Sequence, residues 1–143
     1  MEIPEIFYSR FSQLASDNEI PSFSMIFQKE NLVGEAMNLV QTQKDISAHS
    51  EILAIQQAQQ TLDSRYLTKC TLFTTLEPCT MCAGAIILSR IETVVYLAPA
   101  AKYDGISSLS LETLYHKNHF PKLVLANDQM VSAKLKTFFR NKR

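Results

Sequence analysis

The sequence predicts a three-layer α/β domain, with helices on both faces of a mixed five-stranded sheet. Three observations carry that prediction. Two short runs of strand character, residues 21–28 and 32–39, are separated only by Lys29-Glu30-Asn31, which makes an antiparallel hairpin. Downstream, strand-like runs alternate with helix-like ones, the pattern that yields parallel pairing in an α/β layer architecture. The chain has 143 residues, 46% of them hydrophobic, which suits one domain over residues 1–143 with a substantial core.

The elements follow in order. Ile3, Ile6, Phe7, Phe11, Leu14 and Ala15 recur at helical spacing, so residues 4–16 read as an amphipathic helix. In the first strand, 21–28, Ser22 and Ser24 alternate with Phe23 and Met25. The polar stretch 41–47 is a loop, and its last residue, Ser47, can cap a helix running from Ala48 to about Gln60. Cys70 opens a strand over 70–76. Pro78, with its fixed φ and missing N–H, suits the first turn of a helix that extends from Cys79 to about residue 90. A strand at 93–98, a short helix at 109–116, a strand at 123–126 and a closing helix at 131–140 complete the chain. The cysteine helix is apolar on nearly every side, through Ala83, Gly84, Ala85, Ile86, Ile87 and Leu88. Such a helix is buried on both faces. The core covers one; a homodimer interface is expected to cover the other, with Ile87 and Leu88 pointing outward, the alternative being deeper burial within the monomer.

The chemistry lies in two short segments, His49-Ser50-Glu51 and Pro78-Cys79-Thr80-Met81-Cys82. His49, Cys79 and Cys82 can supply three ligands to zinc and leave the fourth position open for water, as catalytic zinc requires. Glu51 would carry the proton that such a water must lose. Two residues apart in a helix interior point roughly 200° apart, so His49 and Glu51 can converge only at a helix start. Cys79 and Cys82 sit three apart at a second helix start, where the positive dipole end favours thiolates. Two helix N-termini facing one another would enclose one metal. A Cys-x-x-Cys pair also fits a redox centre or a structural zinc site. The redox reading leaves His49 and Glu51 idle. The structural one needs Cys70, which lies roughly 20 Å from the far end of its strand and reads as a core thiol.

The H-x-E…P-C-x-x-C pattern is a known signature of zinc deaminases. The longer block from Thr75-Leu76-Glu77-Pro78-Cys79 through Ala83-Gly84-Ala85-Ile86, then Ser89-Arg90-Ile91 and Val94-Val95-Tyr96, resembles the tRNA-specific adenosine deaminases. Asn118-His119 and the aromatic-then-basic ending from Lys136 to Arg143 are similar too, and the likeness spans most of residues 19–143. It implies a cytidine-deaminase-like fold, one zinc per subunit, a homodimer, and conversion of the wobble adenosine of a tRNA anticodon to inosine. Asn38 falls where that family places an asparagine on the target base, and Ala48, next to His49, is taken with it as substrate-binding. The rim departs from the family. Ser22-Phe23-Ser24 stands for Val-Gly-Ala, and Leu97-Ala98-Pro99-Ala100 lacks an aspartate expected to meet the substrate backbone. Asp104 and the stretch around Asn127-Asp128 replace glycines.

Composition adds little. The formal net charge is zero, so global charge does not point to nucleic acid. Three cysteines, two of them committed to the motif, suit a reducing cytosol. Met1-Glu2-Ile3-Pro4 is no signal peptide and no apolar run is long enough for a membrane span, so a cytoplasmic protein is expected. Five of the fourteen lysines and arginines fall in the last ten residues, beside Phe138 and Phe139. Arg140, Lys142 and Arg143 are therefore candidate phosphate contacts for a tRNA anticodon stem-loop, with the two rings anchoring the helix. Two further functions stay open: deamination of a free base or nucleoside such as guanine or cytosine, and a non-catalytic RNA-binding or partner subunit. A purely structural metal has no use for Glu51.

Overall fold

The computed structural model describes residues 2–14, 18–100, 105–110 and 119–141. Helix α1 (Glu5–Ser12) precedes a hairpin of β1 (Phe23–Gln28) and β2 (Asn31–Met37). A single turn, α2 (Val40–Gln43), leads to α3 (Ser50–Thr61), β3 (Cys70–Leu76), α4 (Thr80–Leu88) and β4 (Thr93–Ala98). A 3₁₀ turn (Ile106–Ser108), β5 (Lys122–Leu125) and α5 (Gln129–Asn141) follow. The strands lie in the order β2-β1-β3-β4-β5. β1 is antiparallel to β2 and β3, and β3, β4 and β5 run parallel. The mixed sheet expected from the sequence is the one found.

Alternation along the strands divides the core into two layers. Ile26, Leu72 and Val94 join Ala54, Ile55 and Ala58 of α3 and Ala83 and Ile86 of α4 on one face. Met25, Phe73 and Val95 meet Phe7 and Phe11 of α1 and Val131 and Leu135 of α5 on the other. Cys70 is fully buried in the first layer, as a core thiol. One approach within that layer is very close. β2 carries a bulge beside Gly34, and a Cβ on Gly34 would run into the Ala54 carbonyl oxygen and lie 3.0 Å from the Ala58 nitrogen of α3.

Several element ends differ from expectation, each for a local reason. α1 is shorter than residues 4–16; Gln13 closes it with backbone bonds to Arg10 and Phe11. The stretch 41–47 is not all loop, because the buried Glu19 carboxylate accepts hydrogen bonds from the backbone N–H groups of Gln41 and Thr42 and organises α2. Ser47 does not cap α3; its N–H and hydroxyl both turn back to Asp45 Oδ1, and His49 is the N-cap instead. Pro78 likewise precedes the helix proper, with Cys79 at the N-cap of α4. Of the two α4 side chains expected to face outward, Leu88 is 66% exposed, whereas Ile87 is 3% exposed and belongs to the core. Phe139 is 44% exposed and Phe138 half-buried, while Val131 and Leu135 are buried and seat α5 on the sheet. The helix expected at 109–116 falls, from residue 111 onward, outside the described residues, as do Asp104, Asn118, Lys142 and Arg143.

Candidate active site

β3 and β4 end side by side, and the chain leaving β3 turns directly into α4. Glu77 fixes that turn. Its buried carboxylate accepts from Ala100 N at 3.2 Å, Ser107 N at 2.9 Å and Ser107 Oγ at 2.6 Å. Pro78 O accepts from Ile106 N at 2.9 Å, and Cys79 bridges Gly105. Gly105 is required there, since a Cβ would collide with the Glu77 carboxylate. Across the layer, the N-terminus of α3 is held by Leu39 N donating to Ala48 O at 3.0 Å.

The two helices therefore start facing one another, and each start carries a candidate ligand at its N-cap. His49 (φ −70°, ψ 150°) and Cys79 (φ −72°, ψ 176°) are both extended, and neither side chain makes a capping bond to its own helix. Freed from capping, both reach forward. His49 Nδ1 lies 3.7 Å from Cys79 Sγ and 3.5 Å from Cys82 Sγ, and the three donor atoms fall within 4.8 Å of one another. Zinc bonds of about 2.05 Å to nitrogen and about 2.3 Å to sulfur at tetrahedral angles separate N and S by about 3.6 Å. Both nitrogen–sulfur separations thus suit a tetrahedral zinc. Among the described residues these three are the one group of histidine, cysteine or acid side chains so arranged.

The electrostatics favour a thiolate at Cys79. Hydrogen bonds from Cys82 and His49 push the Cys79 thiol down to about 3. Cys82 is pushed up, because it keeps the proton it gives to Cys79 and is buried. His49 is raised by its hydrogen bond to Cys79, against the effect of burial. Glu51, two residues into the α3 region and 5% exposed, is raised by burial, with the Ser50 hydroxyl opposing. Ser50 Oγ donates to Glu51 Oε1 at 2.8 Å. A buried carboxyl beside a candidate metal group, holding its proton more tightly than usual, is equipped to take up and return a proton.

The other predicted residues are placed as follows. Asn38 is buried just past β2, its N–H donating to Ser22 O at 3.0 Å and its Oδ1 accepting from Val40 N at 3.3 Å. Ala48 is 1% exposed, with its N–H given to Asp45 O and its carbonyl to Leu39 N. Arg140 is exposed in the last turn of α5. Sequence reasoning missed Glu77 and the hydroxyls of Ser22, Ser24, Thr74 and Thr75, all buried close to Ser50 or the cysteine turn. The available signal was structural: a central strand covered by helices on both faces has no solvent side, so its serines must find partners.

A sheet covered on both faces, with a His-x-Glu helix start opposed to a Cys-x-x-Cys helix start, is the arrangement of a deaminase. The chain belongs to the MafB19-like deaminases, which match residues 8–143, and with them to the tRNA-specific adenosine deaminase family. It is 41% identical to the tRNA-specific adenosine deaminase of Aquifex aeolicus over 69% of this chain and 68% of that one. With the enzyme of the same name from Haemophilus influenzae it shares 39% identity over 87% of this chain and 74% of the relative. A solved structure from studies of A-to-I editing by tRNA:A34 deaminases superimposes with a TM-score of 0.70 at 26% identity, covering 85% of this chain and 86% of that one. Guanine deaminase from Bacillus subtilis is also similar, with a TM-score of 0.56 at 28% identity over 85% of this chain and 80% of that one.

Proposed function

We propose that the protein is a zinc-dependent deaminase that converts the wobble adenosine of a tRNA anticodon to inosine. The observation that carries this reading is the meeting of His49, Cys79 and Cys82 at zinc spacing beside buried Glu51, in a chain 39% identical to a tRNA-specific adenosine deaminase over 74% of that enzyme. His49 Nδ1 and the sulfurs of Cys79 and Cys82 would hold the metal, which when bound supplies the Lewis acidity that makes water a nucleophile near neutral pH. Glu51 takes a proton from that water and delivers it to N1 of adenine as C6 is attacked. Glu51 then takes the proton of the new C6 hydroxyl and passes it to the amino nitrogen, so that the C6–N bond breaks, ammonia leaves and the C6 carbonyl of inosine forms. Asn38 and Ala48 contribute to the pocket wall that receives the base. An anticodon loop offers that base already unpaired, at little unstacking cost.

The same reading takes the protein as a cytosolic homodimer that contacts RNA phosphates through Arg140, Lys142 and Arg143. Dimerisation is supported by the exposed Leu88, Met81 and Tyr66 and by a groove of about 450 Å³ between α3 and α4 lined by Ile52, Ile55, Ala85 and Leu88. Three free cysteines suit a reducing compartment. The likeness to guanine deaminase and the absence of the rim aspartate around Ala100 favour one second reading, deamination of a free base. The test is a panel of zinc-loaded protein with an anticodon stem-loop, free adenosine, cytidine and guanine. Inosine in the stem-loop is expected. Turnover of guanine or cytosine with the stem-loop untouched would replace the tRNA reading by the free-base one.

A further inference from the structure

Behind Glu51 lies a set of hydroxyls that the deamination chemistry leaves unexplained. Ser22, Ser24, Ser50, Thr74 and Thr75 are all at most 9% exposed. Ser50 Oγ sits 2.8 Å from Glu51 Oε1, 2.9 Å from Ser22 Oγ and 2.8 Å from Ser24 Oγ. Ser24 is the register partner of Thr74 across β1 and β3, and their hydroxyls are 2.8 Å apart. Thr75 Oγ1 accepts from Phe23 N at 3.1 Å and reaches Ser22 Oγ at 3.4 Å.

A hydroxyl has one proton to give and two lone pairs to receive. An ionised carboxylate only accepts, so Ser50 must spend its proton on Glu51. Ser22 and Ser24 must then both donate to Ser50. Having donated, Ser24 can only accept from Thr74, and Ser22 only from Thr75. Every proton in the set is thereby directed along two branches, Thr74 to Ser24 to Ser50 and Thr75 to Ser22 to Ser50, that converge on one oxygen of Glu51. Aligned hydroxyls polarise one another and strengthen the last bond. Buried polar groups this closely packed admit no second arrangement while the carboxylate is charged.

We infer that Ser50, Ser22 and Ser24 are positioning residues that fix the Glu51 carboxylate by its Oε1 and so aim its other oxygen at the reacting water and base. None of them touches substrate; each acts through Glu51. The inference deepens the proposed deamination and rests on it for its kinetic arm, while its structural arm stands alone.

The experiment uses the full-length zinc-loaded protein and Ser50→Ala, Ser24→Ala, Ser24→Thr and Ser22→Ala/Ser24→Ala variants. Misplacing a catalytic group by about 1 Å costs on the order of 10²-fold, so kcat on the anticodon stem-loop should fall about 10- to 100-fold in Ser50→Ala. KM and zinc content should stay unchanged. The double variant should fall as far although neither residue reaches Glu51, and Ser24→Thr, which keeps the hydroxyl, should retain more activity than Ser24→Ala. Crystal structures of the zinc-loaded wild type and Ser24→Ala supply the second readout: Glu51 Oε1 on Ser50 in the first, and a changed Glu51 or Ser50 rotamer in the second. Unchanged kcat in Ser50→Ala, or an unmoved Glu51 and Ser50 in Ser24→Ala, overturns the inference. Failure of the wild type to act on the stem-loop would instead strike the substrate assignment, and the crystallographic comparison would still decide the positioning role.

Discussion

The two cysteines of the candidate metal group, the core thiol Cys70 and Glu51 can be told apart by what removal of each does. Cys79→Ser or Cys82→Ser should lose bound zinc and much thermal stability, whereas Cys70→Ser, altered in the core at the opposite end of β3 from the site, should keep one zinc per chain by metal analysis. Glu51→Ala should fold and hold zinc but lose about 10²- to 10⁴-fold in deamination rate, the usual contribution of a general acid–base group. Near-normal turnover would require another base. Glu19 gives a different readout. Burial raises its carboxyl, but hydrogen bonds from Thr42 and Gln41 outweigh that and hold it below its ordinary 4.5. A carboxylate lowered on folding stabilises the protein above its unfolded value and ceases to do so as pH falls through the folded value. Urea melts should therefore show Glu19→Gln less stable than wild type at neutral pH, with the gap closing below pH 4.5.

At the level of helices and strands, α4 makes the clearest prediction. Leu88 is 66% exposed and a Cβ on Gly84 would meet nothing within 4 Å, so one flank of an otherwise apolar helix is uncovered. Leu88→Asp should shift a sedimenting dimer to monomer without loss of fold; a wild type that sediments as monomer at micromolar concentration would remove the interface from α4. The elements themselves were largely legible in sequence because hydrophobic period and turn residues are local properties. All five strands and the helices bearing His49 and Cys79 lie where expected. Their starts were not, because tertiary bonds decided them: Asp45 claimed Ser47, and His49 and Cys79 took the caps. The meeting of His49, Cys79 and Cys82 was readable from residue type and spacing alone. The hydroxyl set was not, since Ser22 and Ser24 alternate with Phe23 and Met25 as a solvent-facing row would, yet α3 covers them.

For the whole molecule, the question is how a site built at two helix starts meets a large substrate and stays assembled. If Arg140, Lys142 and Arg143 each neutralise a phosphate, anticodon stem-loop affinity should fall steeply with salt. Replacing all three with glutamine should flatten the log–log slope by about 2 to 3, at roughly 0.7–0.9 per contact. Salt-indifferent binding would move RNA recognition elsewhere. The candidate metal group depends on the distance between α3 and α4, and that distance is gauged from outside the site. Gly34 touches α3 at its middle, against Ala54 and Ala58, so the helix resembles a beam resting on a fulcrum with His49 and Glu51 at one end. A methyl added at the fulcrum has nowhere to go but into the beam. Gly34→Ala should cost about 1–3 kcal/mol as overpacking, and by tilting α3 it should also release zinc to a competing chelator sooner than an equally destabilising change in α1. A strand with no catalytic group of its own thus sets the calibration of the instrument, through a residue that has no side chain at all.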